Sequence, residues 1–143
     1  EAARRCGGRF DKEGKSVNTH GEYPDAIRWV AQKENVPLIE LNGMTTMLCD
    51  ALGVDGSMKL YVHYPAGTFP GQTREFKDNS HFSTYGAYET AKCVVEGMKK
   101  AKLDIANYLR ADYKGFNLAQ PDKFETFKWN LCPFTEIEKP DGN

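Results

Sequence analysis

The stretch DNSHFSTYGAYETAKCVVEGMKK, residues 78–100, decides how the rest of this chain is read. Its later part is the clearest helix in the sequence. Ser83 or Thr84 can cap the N-terminus, because a short hydroxyl side chain accepts from a backbone N–H that the helix leaves unsatisfied. Ala87, Ala91, Val94, Val95 and Met98 recur at helical spacing. Lys99, Lys100 and Lys102 gather at the end, where the helix dipole is negative. Ahead of the helix, on what reads as a loop, Asp78 and His81 stand three residues apart. An imidazole acting as general base needs one free nitrogen and one anchored nitrogen. A carboxylate on Nδ1–H fixes the tautomer and stabilises the imidazolium formed in proton transfer. Asp78 and His81 are therefore candidate catalytic residues. The ordinary alternative is that Asp78 and Ser80 make turn hydrogen bonds while His81 packs on the helix N-terminus. Spacing alone does not separate the two.

Upstream, PDAIRWVAQKEN (24–35) predicts a helix. Pro24 suits its first turn, and Ala26, Ile27, Val30 and Ala31 form an apolar stripe. VPLIEL (36–41) follows at once. A short apolar run directly after an amphipathic helix predicts the αβ half of a parallel α/β unit. LNGMTTMLCDALG (41–53) predicts a helix with Met44, Met47, Leu48 and Ala51 on one face and Gly53 as its stop. SMKLYVHYPAGTFPG (57–71) fits either a short helix or a strand before a Pro/Gly loop. The opening 22 residues read as a loop. Beyond Leu109 the chain reads as an extended tail anchored by Phe116, Phe124, Phe127, Trp129 and Phe134. A parallel sheet needs several strands covered on both faces. One confident strand and a second ambiguous one are too few, so the chain reads as the back portion of an α/β domain.

Bulk properties narrow the function. A length of 143 residues suits one domain, and 40% apolar with 27% charged residues suits a packed core. A net charge of −1 excludes a dominant nucleic-acid footprint. No apolar run approaches a membrane span, and no signal-peptide core is visible. The four cysteines, Cys6, Cys49, Cys93 and Cys132, form no C-x-x-C pair, which argues against a zinc ribbon; two disulfides are open, with buried or free thiols the expectation. His20, His63 and Asp78 match no metal-ligand spacing, so no metal site is expected. His63 reads as a structural histidine. Tyr85 and Tyr88, on the first turns of the 84–100 helix, read as packing residues before sugar-stacking ones.

Three ordered segments carry a family resemblance. DNSHFSTYGAYETAKCVVEGMKK resembles the last characteristic block of the SGNH (GDSL-type) hydrolases, and more narrowly that of the rhamnogalacturonan acetylesterases. FDKEGKSVNTHGEYPDAIRWVAQKENVPLIEL (10–41) is similar to the family segment linking the fourth and fifth strands, and PFTEIEKPDGN (133–143) to the family's C-terminus. The resemblance implies a three-layer α/β/α, flavodoxin-like fold with a parallel sheet. It implies that residues 1–143 are the C-terminal part of a single domain, with a loop at 1–22, a core portion at 23–110 and a wrapping tail at 111–143. It also implies that His81 is the general base, Asp78 its orienting acid, and His20 a substrate-binding residue at the edge of the site. The implied reaction is removal of acetyl groups from pectic polysaccharide through an acyl-serine, with no metal or organic cofactor, in a secreted or periplasmic enzyme.

The family's nucleophile lies in a Gly-Asp-Ser block, and no such block occurs in this sequence. Ser16, Ser57, Ser80 and Ser83 do not follow an apolar strand on a Gly-rich turn. The expected partner is therefore an N-terminal portion of the same enzyme carrying the serine, and this chain alone is expected to be inactive. The expected ligand is acetylated pectic polysaccharide, with neither nucleic acid nor membrane as partner. Competing readings are an esterase or lipase of the same fold with another acyl substrate, and a non-catalytic carbohydrate-binding or structural module.

Overall fold

The computed structural model describes residues 10–129. Three helices and one pair of strands make up its regular structure: α1 (Tyr23–Lys33), α2 (Leu41–Met58), β1 (Tyr61–Tyr64), β2 (Phe76–Phe82) and α3 (Thr84–Lys100). Short 3-10 turns follow at Asp104–Tyr108 and Phe124–Thr126. Mixed helix and strand content fits an α/β fold. The strands depart from the expectation, because the sheet among the described residues is a single antiparallel pair.

The helices form where their local signals lie. Pro24 sits in the first turn of α1, where its missing N–H costs nothing. Arg28 of α1 grips Glu40, its Nε 2.7 Å from Oε2, and Glu40 in turn caps the start of α2. Within α2, Gly53 adopts φ 68°, so the helix breaks at the residue expected to end it and then resumes to Met58. The buried face of α2 runs through Thr45, Leu48 and Cys49. Met47, expected on that face, is 55% exposed.

The segment 36–40 is neither helix nor strand and pairs with no strand among the described residues. It folds back onto helix instead: Val36 N–H donates to Ala31 O, and Ile39 packs where α3 has Gly97. An apolar run alone does not make a strand, since the ladder needs a neighbour to bond.

α3 organises the core. Ser83 caps it, its Oγ accepting from Gly86 N–H at 3.1 Å and donating to Lys59 O at 2.7 Å. Gly86 meets the backbone at Leu60 so closely that a Cβ there would lie 1.8 Å from the Leu60 oxygen. Around this contact Leu48, Cys49, Leu60, Tyr61, Tyr85 and Cys93 are buried together. The buried face of α3 is Gly86, Glu89, Thr90, Cys93 and Gly97. The expected stripe lies beside that face: Ala87 and Ala91 are exposed, and Val94, Val95 and Met98 half-buried. Cys49 is disulfide-bonded, which corrects the expectation of thiols throughout. Cys93 is a free thiol, and burial pushes it up to about 11. Cys6, Cys132 and Phe134 lie outside the described residues.

Beyond α3, the described part of the tail makes contacts back to that helix. Glu96 Oε1 accepts from Tyr113 Oη at 2.9 Å and from Phe116 N–H at 3.0 Å. Tyr85 Oη donates to Asp122 O at 2.6 Å. Phe116 and Phe127 pack on the core, while Phe124 and Trp129 keep 44% and 53% of their surface.

Candidate active site

The segment read as a loop belongs to β2, and the strand is irregular where Asp78 and His81 lie. Tyr61 pairs with Phe82 and His63 with Lys77, so two steps along β1 correspond to five along β2. The surplus residues of β2, Asp78–His81, leave the ladder as a wide bulge. Bulges re-aim side chains that a regular strand would point alternately to its two faces.

Within the bulge Asp78 is saturated on one oxygen and committed on the other. Its Oδ1 accepts from Ser80 N–H at 2.6 Å and from His81 N–H at 2.9 Å. Its Oδ2 lies 2.6 Å from His81 Nδ1. The His81 N–H bond, the imidazole bond and the Ser80 N–H bond together lower the Asp78 carboxyl from 3.8 to about 2. Asp78 is thus an anionic acceptor that holds Nδ1 and leaves Nε2 of His81 open. The His81 side chain is 80% exposed. The arrangement matches the anchored half of an acid–base pair, and the turn hydrogen bonds of the ordinary alternative are present too. In this bulge they are the means by which the carboxylate is aimed.

His63 on β1 places Nε2 2.6 Å from Asn79 Oδ1, next to Asp78. His20 lies in the turn before α1, with contacts to its own neighbours: its N–H donates to Asn18 Oδ1 and its Nδ1 is 3.4 Å from Thr19 Oγ1. Among the described residues no hydrogen bond or ring contact joins His20 to Asp78 or His81. Tyr85 is buried, as expected of a packing residue, whereas Tyr88 is 39% exposed.

One ionisable cluster was not legible beforehand. Glu89, fully buried, has Oε1 2.8 Å from Lys92 Nζ, and Lys92 reaches Asp122 at 2.8 Å. Burial pushes the Glu89 carboxyl above its ordinary range against the pull of Lys92. Its one sequence signal is the i, i+3 spacing of Glu89 and Lys92 on a helix. Among the described residues no group of acids, histidines and cysteines could hold a metal ion, and no helix is long and apolar enough to cross a membrane.

Over 101 residues the chain is 39% identical to the rhamnogalacturonan acetylesterase RhgT of Bacillus subtilis (strain 168). The match covers 71% of this chain and 44% of the relative, so the chain spans about half the length of the curated relative it matches. The resemblance to a rhamnogalacturonan acetylesterase is thereby borne out. No family model matches the chain, and no solved structure matches it.

Proposed function

We propose that this chain contributes the Asp–His pair of a Ser-His-Asp triad to a serine esterase that removes acetyl groups from a pectic polysaccharide such as rhamnogalacturonan. The observation that carries the reading is the 2.6 Å bond from His81 Nδ1 to an Asp78 carboxylate that stays ionised, in a chain similar to a named acetylesterase. In this reading Asp78 fixes the tautomer, and Nε2 of His81 takes the proton from a serine Oγ as that oxygen attacks the acetyl carbonyl. The same proton then goes to the leaving sugar oxygen, and an acyl-serine remains. His81 next deprotonates water, which releases acetate and returns the serine. Acyl transfer of this kind requires neither a metal nor an organic cofactor.

The serine and the donors for the oxyanion belong, in this proposal, to a preceding portion of the same domain. Residues 23–110 would then be a core portion and 111–143 a wrapping tail. Val36–Leu41 would join a parallel sheet as a strand, and a secreted or periplasmic location would follow. Three observations support an incomplete body. Val30 and Val36 are 48% and 57% exposed. An apolar groove lies between α1 and residues 36–38. The relative is more than twice as long as the matched stretch.

The test is reconstitution. The chain is co-expressed with the portion of the Bacillus relative that precedes the match, and acetate release from acetylated rhamnogalacturonan is measured. Activity is expected only with both polypeptides. His81→Ala should lower it by roughly 10⁶-fold, the scale for losing a triad histidine. A His81→Ala complex as active as the parent refutes the proposal, and a preference for long acyl chains refutes its acetyl specificity. A non-catalytic carbohydrate-binding module is favoured by one observation, the exposed Trp129 stacked at 6.4 Å on Phe127. Tryptophan quenching by oligosaccharide with no hydrolysis by the complex would decide for it.

A further inference from the structure

Asp78–His81 is a surplus of chain between two paired positions, Tyr61↔Phe82 and His63↔Lys77. Such a bulge is excluded from the ladder and has no regular pattern of backbone bonds to fix its shape. Nor does packing fix it, because the His81 side chain is 80% exposed. Two sets of hydrogen bonds remain. From inside, Asp78 Oδ1 gathers the Ser80 and His81 N–H groups. From outside, His63 Nε2 reaches Asn79 Oδ1 at 2.6 Å. Among the described residues that bond is the side-chain tie between the bulge and the neighbouring strand. His63 stands in β1, two residues after the buried Tyr61, so it ties the exposed bulge to a strand that starts in the core.

We propose that His63 and Asn79 are positioning residues for the Asp78–His81 pair, holding the bulge in the one shape that aims the carboxylate at Nδ1. The inference rests on the catalytic reading of that pair, and neither residue is assigned contact with substrate. The logic is that of a supporting shell. An acid–base pair works when its geometry is set before the substrate arrives, and small misplacements cost large factors in rate. His63 must keep its proton on Nε2 to donate to the Asn79 amide oxygen, which selects that tautomer of the neutral ring and suits an imidazole used as a strut. Asn79 lies between Asp78 and Ser80 in the chain, so fixing it fixes the residues on both sides.

The test reads the His81 ring directly in the 143-residue chain. Long-range proton–nitrogen NMR across a pH series should show the neutral His81 ring as the Nδ1–H tautomer, read from its two nitrogen shifts. His63→Ala and Asn79→Ala should each return those shifts to tautomer averaging. His63→Gln, which keeps a donor for the Asn79 oxygen, should restore the tautomer preference. Far-UV circular dichroism should be unchanged in all three, since Asn79 is exposed and His63 only half-buried. A His81 signature identical to wild type in both alanine variants overturns the proposal, as does a wild-type chain whose neutral ring shows no tautomer preference. The readout is a ring tautomer and not turnover. A complemented chain that hydrolyses nothing yet keeps the His63-dependent signature refutes the esterase reading and supports the positioning.

Discussion

The two residues that matter most at the smallest scale, Asp78 and His81, are close in sequence, and that is why they could be found there. Their bond spans three residues and needs only local chain geometry. His63 with Asn79 and Lys92 with Asp122 span 16 and 30 residues, and nothing in a linear sequence says that these meet. The Asp78 shift has a definite sign. Its folded value, about 2, lies below its ordinary 3.8. Asp78 therefore stabilises the fold fully above pH 3.8, and that contribution is lost as pH falls toward 2. Carbon-detected NMR should find the Asp78 carboxyl still ionised at pH 3, and a midpoint near 4 would contradict the hydrogen bonds drawn for it. Glu89 runs the other way. Its folded value is raised by burial, so the native state holds a proton that the unfolded chain has released. Its effect on stability is harmless below the ordinary value and grows costlier as pH rises through that window. Glu89→Gln should remove this pH dependence in denaturant titrations. Glu89→Ala should cost on the order of 2 kcal/mol, because it strips a partner from the Asp122 N–H and Lys92 while Lys92 keeps Asp122.

At the scale of elements, helices were legible and the sheet was not. α3 declared itself through Ser83 and its lysines, and α1 through Pro24, because caps and dipoles act within a turn. Its buried face was misjudged, since the close contacts of α3 are made by Gly86 and Gly97, which carry no apolar signal. VPLIEL has the composition of a strand, but strand formation depends on a neighbour elsewhere in the chain or beyond it. DNSHF has the composition of a loop and lies within a strand because Lys77 and Phe82, on either side of the bulge, find partners on β1. The Gly86 contact makes a sharp prediction. A Cβ at 1.8 Å from the Leu60 oxygen meets backbone that cannot rotate away, and that oxygen also accepts from Ser83 N–H. Gly86→Ala should therefore separate α3 from β1 and cost about 3 kcal/mol or more in denaturant unfolding, at or above the top of the usual range for overpacking. β1 follows Leu60 directly, and the bulge on β2 is separated from Ser83 only by Phe82, so the His81 tautomer preference should be lost in the same variant.

At the scale of the whole molecule, the apolar surface left over is the main observation. Tyr23, Trp29 and Val30 of α1 are 78%, 60% and 48% exposed, and Pro24 is the buried residue of that helix. Val36 continues the patch, and the groove beside it is lined by apolar side chains from Tyr23 to Leu38. A helix with an apolar stripe facing water gains nothing from that stripe, and contiguous patches of this kind mark surfaces that another polypeptide covers. If the patch is where a preceding portion of the domain docks, the chain by itself should self-associate and bind an apolar fluorescent dye. Adding the complementing polypeptide should suppress both. Val30→Asp and Val36→Asp should weaken complementation and dye binding together, yet leave the circular dichroism of the isolated chain nearly unchanged, because neither side chain is packed in its core. Complementation that tolerates both aspartates would move the docking surface elsewhere, and the half-exposed stripe of Val94, Val95 and Met98 on α3 would be the next face to charge.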